Sequence, residues 1–198
     1  MGEDLGLALG RLINALPATV PTILPTILDT AYPERQGFGT LGVVFGGLGP
    51  TGYSPMSCEI GIPASDASRA LDAILAEVQA SQPSYFFPGL IAFRYTRPSR
   101  ATLAFTRFDP TATIELPALG KVPGTEAFYR RVWDRLEAAG IPITLHWGQL
   151  NAADPARIRR MYGADVDRWI AARQRFLPDA ASRHRFDNDF VVGCGLAV

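Results

Sequence analysis

The chain has 198 residues, of which 47% are hydrophobic and 19% charged; that balance belongs to a folded chain long enough for one sizeable core or two small ones. Lysine plus arginine and aspartate plus glutamate each total 19, for a formal net charge of zero, which argues against a broad basic footprint for nucleic acid. The apolar opening carries Glu3 and Asp4 and is interrupted by Pro17, Pro21 and Pro25, so it lacks the basic start of a signal peptide and cannot make a continuous membrane helix of about 20 residues. Cys58 and Cys194 have neither metal-ligand nor redox spacing, which favours a reduced, cytoplasmic chain while leaving a single disulfide open.

Residues 3–16 predict a short helix with Leu5, Leu9, Leu12, Ile13 and Leu16 on one side. The three prolines that follow then predict extended or kinked turns. From Gly37 to Gly52 the glycines are dense. No phosphate-loop or dinucleotide pattern is present there, and a loop around the apolar run Leu41–Phe45 is expected. Residues 1–54 thus read as a linker or docking segment, and 55–198 as the domain proper.

Within that domain, Ser57–Ile62 reads as a strand. Ser65 or Asp66 then caps a helix carrying Leu71, Ile74, Leu75 and Val78 at helical spacing. Gly89–Thr96, Thr102–Arg107 and Thr111–Leu116 read as three further strands, with Asp109-Pro110 as the turn between the last two. Thr125 caps a second long helix with Phe128, Val132 and Leu136 on one face, closed by Gly140. Ile141–Leu145 follows as an apolar strand. Asp154-Pro155 opens a short helix with proline at its first position, and Asp165 opens another bearing Val166, Trp169, Ile170 and Phe176. The tail Phe190–Val198 reads as a last strand or a packed end. This order predicts an α+β fold, an antiparallel sheet covered on one face by helices.

The chemistry concentrates where the last strand ends, at His146-Trp147-Gly148-Gln149. Side chains alternate along a strand, so Ile143 and Leu145 share one face, with Thr144 and His146 on the other. His146 reads either as a pocket residue or as a histidine packed beside an indole; Gln149 reads as a pocket or a loop residue. Arg94, inside the apolar run Leu90–Tyr95, is a site cation, a structural ion pair or an edge residue. Glu115 is a strand carboxylate that would face Arg94 across the sheet, or a solvated one. His184, among arginines, reads as surface. No spacing of His, Asp and Glu suggests a metal site, and there is no nucleophile elbow.

Taken as an ordered set, Phe128-Tyr129-Arg130-Arg131-Val132-Trp133, Gly140-Ile141-Pro142, His146-Trp147-Gly148-Gln149, Tyr162-Gly163, Trp169, Arg173-x-x-Phe176-Leu177-Pro178 and Arg185-Phe186-Asp187-Asn188 resemble the C-terminal end of the sugar-lactone and alditol oxidase branch of the vanillyl-alcohol-oxidase flavoproteins. The resemblance covers roughly residues 55 to 190. It implies a cap that forms the substrate pocket over FAD, the FAD being bound mainly by a domain in cis or on a separate chain. The implied chemistry is oxidation of an alcohol-type C–OH group of a small molecule by hydride transfer to flavin. Carried over by position, Arg94, His146 and Gln149 are the catalytic set; Arg94, Glu115 and Trp147 bind substrate; His146, Gln149 and Asn188 touch the cofactor. Two departures stand out. Ala92-Phe93-Arg94 lacks the family's strand glutamate, and Gln149 replaces its lysine, which points toward a less polar substrate. The rival reading is a non-catalytic binding or accessory module derived from such a cap.

Overall fold

The computed structural model describes residues 8, 11–31, 56–119 and 122–197. Four strands form one sheet: β1 (Glu59–Pro63), β2 (Ala92–Thr96), β3 (Thr111–Glu115) and β4 (Thr144–Leu145), in the order β2-β3-β1-β4. All pairings are antiparallel. The register places Ile60 opposite Ile114 and Leu145, and Phe93 opposite Ile114. That face is apolar and lies in the core with two long helices, α2 (Ala67–Ala80) and α3 (Thr125–Ala138). Alternation then sends Glu59, Gly61, Arg94, Thr113, Glu115 and Thr144 to the other face. The α+β fold is therefore as expected, with an apolar face on the helices and a polar face on which the loop around Phe105 packs at Gly61 and Thr144.

The core is aromatic at its centre. Phe128, Tyr129, Val132, Trp133 and Leu136 on α3 are buried, Phe87 stacks on Phe128 at 4.8 Å, and the Tyr129 hydroxyl donates to the Leu116 carbonyl at 2.6 Å. At the start of α3, Gly124 takes the cap position with φ 92°, and a β-carbon there would lie 3.0 Å from the Tyr85 ring. Thr125 is thus the first helical residue and not the cap; its hydroxyl meets Tyr85 Oη at 2.8 Å. Asp66 does occupy the cap position of α2, but its carboxylate takes Arg69 instead of a backbone N–H.

Several expectations are corrected. The prolines do not break the opening: a 3-10 turn at Pro17–Thr19 leads into α1 (Val20–Ala31), which runs through Pro25. Pro21 sits in the first turn, where a missing N–H has no helical partner to lose, and only Pro25 removes an internal bond. Ile13 and Val20, inside the stretch read as a linker or docking segment, pack into the main core. The run Thr102–Arg107 is no strand. It is a turn-rich loop whose carbonyls are taken by side chains, Thr144 Oγ1 donating to Phe105 O at 2.6 Å and Trp147 Nε1 to Leu103 O at 2.9 Å. The strand expected from Ile141 is reduced to Thr144–Leu145, although Ile141 and Ile143 are still buried. Cys58 and Cys194 are both free and buried, so they form no disulfide. The glycine-dense stretch 37–52 lies outside the described residues.

The C-terminal third is helical: α4 (Pro155–Tyr162), α5 (Asp165–Phe176), α6 (Ala180–Arg185) and α7 (Asp189–Gly193). Asp154 caps α4 by accepting from Arg157 N at 2.7 Å, with Pro155 at the first position as expected. Phe176, expected on the apolar face of α5, is instead 87% exposed at its end. The tail packs as α7 followed by buried Leu196, not as a strand. Arg173 ties these pieces together, donating to the carbonyl of Arg183 and to Asp187 Oδ1. No helix among the described residues is long and apolar enough to cross a membrane.

Candidate active site

The polar sheet face is organised by three strands in register. Glu59 on β1 is the direct partner of Glu115 on β3, so two carboxylates stand side by side and would repel without a cation. Arg94 on β2 supplies it. Its Nη1 donates to Glu59 Oε1 at 3.2 Å and its Nη2 to Glu115 Oε2 at 2.6 Å. The hydrogen bond to Glu115, with Glu59 beyond it, raises the pKa of the guanidinium above its ordinary value, so it is a cation throughout the working range. The Arg94 side chain is 55% exposed, whereas the carboxylates of Glu59 and Glu115 are largely covered. The ion triad therefore presents a charged, donor-rich head to solvent from an otherwise shielded base.

The turn after β4 closes the other side of Glu115. Gln149 Nε2 donates to Glu115 Oε1 at 3.3 Å, and Ser57 Oγ donates to the same oxygen at 3.2 Å. Because the carboxylate orients the amide nitrogen, Gln149 Oε1 is left buried with no hydrogen-bond partner among the described residues. The turn is held rigid from within: Asn151 Nδ2 donates to the carbonyls of His146 and Gln149, and Leu150 N donates to Ser57 O. His146 continues the β1 pairing through its backbone N–H to Glu59 O at 2.9 Å. Its Nδ1 accepts from Gly148 N–H at 3.1 Å and its ring meets Phe105 edge-on at 5.1 Å. Nδ1 is thus the unprotonated nitrogen, and in the neutral ring the proton sits on Nε2.

Trp147 is anchored more than the residues around it. Besides the bond to Leu103 O, its ring stacks on Tyr162 at 5.7 Å and meets Phe190 at 6.0 Å in a T-shaped contact. Beside the triad lies a cleft of about 650 Å³, lined by Met56, Ser57, Trp147, Gln149, Leu150 and Phe190 among others. Arg94, Glu115 and Gln149 thus form one cluster; Trp147 shares the cleft lining with Gln149, and His146 turns to Phe105. Asn188 stands apart: its Oδ1 accepts from Val191 N at 2.9 Å and caps α7. Sequence reasoning missed Glu59 and Ser57. The signal was available in the alternation of Ser57, Glu59 and Gly61 against Cys58, Ile60 and Ile62.

This geometry can be set against known proteins. A family model described as D-arabinono-1,4-lactone oxidase matches residues 4–190. The chain belongs to that family. The match is to the C-terminal portion of FAD-linked oxidases of the lactone-oxidase type. A search of the curated proteins returned no match. The lactone-oxidase match begins at residue 4 and so takes in the helical opening as well as the sheet domain. The strand glutamate missing beside Arg94 has a spatial counterpart here, since Glu59 and Glu115 bring carboxylates to the arginine from the two neighbouring strands.

Proposed function

We propose that this chain is the substrate-binding portion of an FAD-dependent oxidoreductase that oxidises an alcohol-type C–OH group of a small, neutral, hydroxyl-rich molecule. The observation that carries it is the Glu59–Arg94–Glu115 triad, which reaches solvent through Arg94 at the uncovered end of the polar sheet face, a costly arrangement for a purely structural surface and a useful one for orienting hydroxyls. Two carboxylates against one guanidinium leave the cluster with an excess negative charge, which disfavours an anionic substrate. It also disfavours a pyrophosphate, so the residues here fit the ring of FAD and not its phosphates. The orphaned Gln149 Oε1 can accept from a ring N–H, and His146 Nε2–H can donate to a ring oxygen or nitrogen. FAD, when bound, would supply the hydride acceptor. The remaining N–H groups of Arg94 donate to the substrate oxygen that becomes a carbonyl, stabilising charge that develops there. Glu59 accepts a hydrogen bond from the reacting hydroxyl and takes its proton as the hydride leaves the carbon, so that one proton and one hydride are removed together. With its Nδ1 lone pair engaged by Gly148, His146 is assigned to hydrogen-bond donation and not to proton abstraction.

The FAD-binding domain, in cis or on a separate chain, covers the polar face in this reading. The test is turnover of neutral polyols and aldonolactones by the enzyme assembled with that domain. Arg94→Ala lowers kcat/KM by about 10²–10³-fold, the loss typical of a removed oxyanion donor, and Arg94→Lys recovers part of it. Unchanged turnover in Arg94→Ala would overturn the assignment. An assembly that carries flavin yet oxidises none of these compounds would leave the accessory module as the better reading.

A further inference from the structure

A second cleft of about 400 Å³ opens on the far side of Trp147 and Phe190. Its walls are Leu103 from the loop after β2, Trp147, Trp169 on α5, and Phe190, Val191 and Leu196 of the tail. Thr102 brings the only side-chain hydroxyl on this wall, and the Trp147 N–H is already given to Leu103 O. Water in such a space finds few partners. Trp147, Trp169, Leu103 and Val191 pack on the core yet are only partly buried, and Phe190 is 41% exposed. Trp147 and Phe190 also line the first cleft, which contains Ser57 and Gln149, so the two spaces share one aromatic wall, made by a T-shaped pair of rings 6.0 Å apart. One molecule that crosses this wall meets Ser57, Gln149 and Asn151 on one side and an apolar surface on the other.

We infer that the substrate carries an alkyl or aryl group beside its hydroxylated end, with the hydroxyls at the Glu59–Arg94–Glu115 triad and the apolar group in this second cleft. The placement of the hydroxyls rests on the proposed function; the apolar cleft rests on its own geometry. The bare sugar lactone is then the poorer substrate, and an alkyl- or aryl-substituted polyol or lactone the better one. An appended group buried on the indole faces gains affinity for each methylene removed from water, about fourfold per CH₂.

The experiment titrates the purified chain with ω-phenylalkan-1-ols, from benzyl alcohol to 4-phenylbutan-1-ol, following tryptophan fluorescence and heat of binding. Two of the three tryptophans, Trp147 and Trp169, wall the cleft. Saturable binding that tightens about fourfold per methylene is expected. Ala101→Phe, which adds bulk at an exposed rim position, weakens it at least tenfold without touching the fold. Absence of saturable binding, or equal affinity in Ala101→Phe, overturns the inference. So does loss of phenylalkanol binding when the FAD-binding domain is added, because the cleft would then be a docking surface for that domain. The two readings fail separately. Phenylalkanol binding alongside unchanged turnover in Arg94→Ala would remove the proposed function and keep the cleft, whereas lost turnover without any phenylalkanol binding would do the reverse.

Discussion

Replacing Glu77 with glutamine tests how the two long helices are locked over the sheet. Glu77 is 5% exposed on α2, and its carboxylate accepts from Arg131 Nε at 2.6 Å and Arg135 Nε at 2.9 Å on α3, and from Ser81 Oγ at 3.3 Å. Burial alone would raise its pKa, but the hydrogen bonds from the two arginines outweigh burial and hold it below the ordinary 4.5. Hydrogen bonds to charged groups contribute about 1.5–3 kcal/mol each. Arg131 and Arg135 are 45% and 40% exposed and regain water when the charge is lost, so the lower end applies to each. The expected cost is about 2–3 kcal/mol, or about 5–10 °C in Tm for a chain of this size. A depressed carboxylate contributes stability that is fully present above its unfolded pKa and is lost as pH falls toward its folded one. The wild type therefore loses stability as pH falls through and below the ordinary 4.5 more steeply than Glu77→Gln. Urea midpoints measured across that window check both parts. Two parallel curves, or a cost at neutral pH well under about 1 kcal/mol, would refute the account of how α2 and α3 are joined.

Gly61→Ala would place a β-carbon 2.6 Å from both Phe105 O and Thr144 Oγ1, so the loop after β2 must lift from the sheet. The expected cost is about 1–3 kcal/mol in urea unfolding, with faster hydrogen exchange in that loop; an unchanged midpoint would show that the loop is not held there. Asn188→Ala should cost about 1 kcal/mol through the lost cap of α7 and leave flavin retention in the assembled enzyme as it was. Weaker flavin retention without loss of stability would instead support Asn188 as a cofactor contact.

Local pattern carried much of the architecture. The period of Leu71, Ile74 and Val78, and that of Phe128, Val132 and Leu136, marks two amphipathic helices whatever surrounds them. Asp154-Pro155 marks a helix start because a side-chain acceptor followed by a residue without an N–H suits the first turn. The alternation around Thr144 and Leu145 assigned their faces correctly even though the strand itself proved short. Where side chains compete with the backbone, local pattern failed. The run from Thr102 to Arg107 has strand composition, but Thr144 and Trp147, distant in sequence, take its carbonyls. Gly124 displaced Thr125 as a cap because only a glycine meets both the positive φ and the Tyr85 ring.

The site divides in the same way. An arginine in an apolar strand and a His-Trp-Gly-Gln turn are visible one residue at a time, since each is unusual for its surroundings. Which carboxylate answers that arginine depends on the register of β1, β2 and β3, and register is a property of pairing between segments far apart in the chain. Glu59 and Glu115 are 56 positions apart (115 minus 59) and become direct neighbours only when the sheet forms. Composition and periodicity therefore determined the elements and their buried faces and offered Glu115 as a partner for Arg94, while the register that brings Glu59 to the same arginine was decided by tertiary pairing.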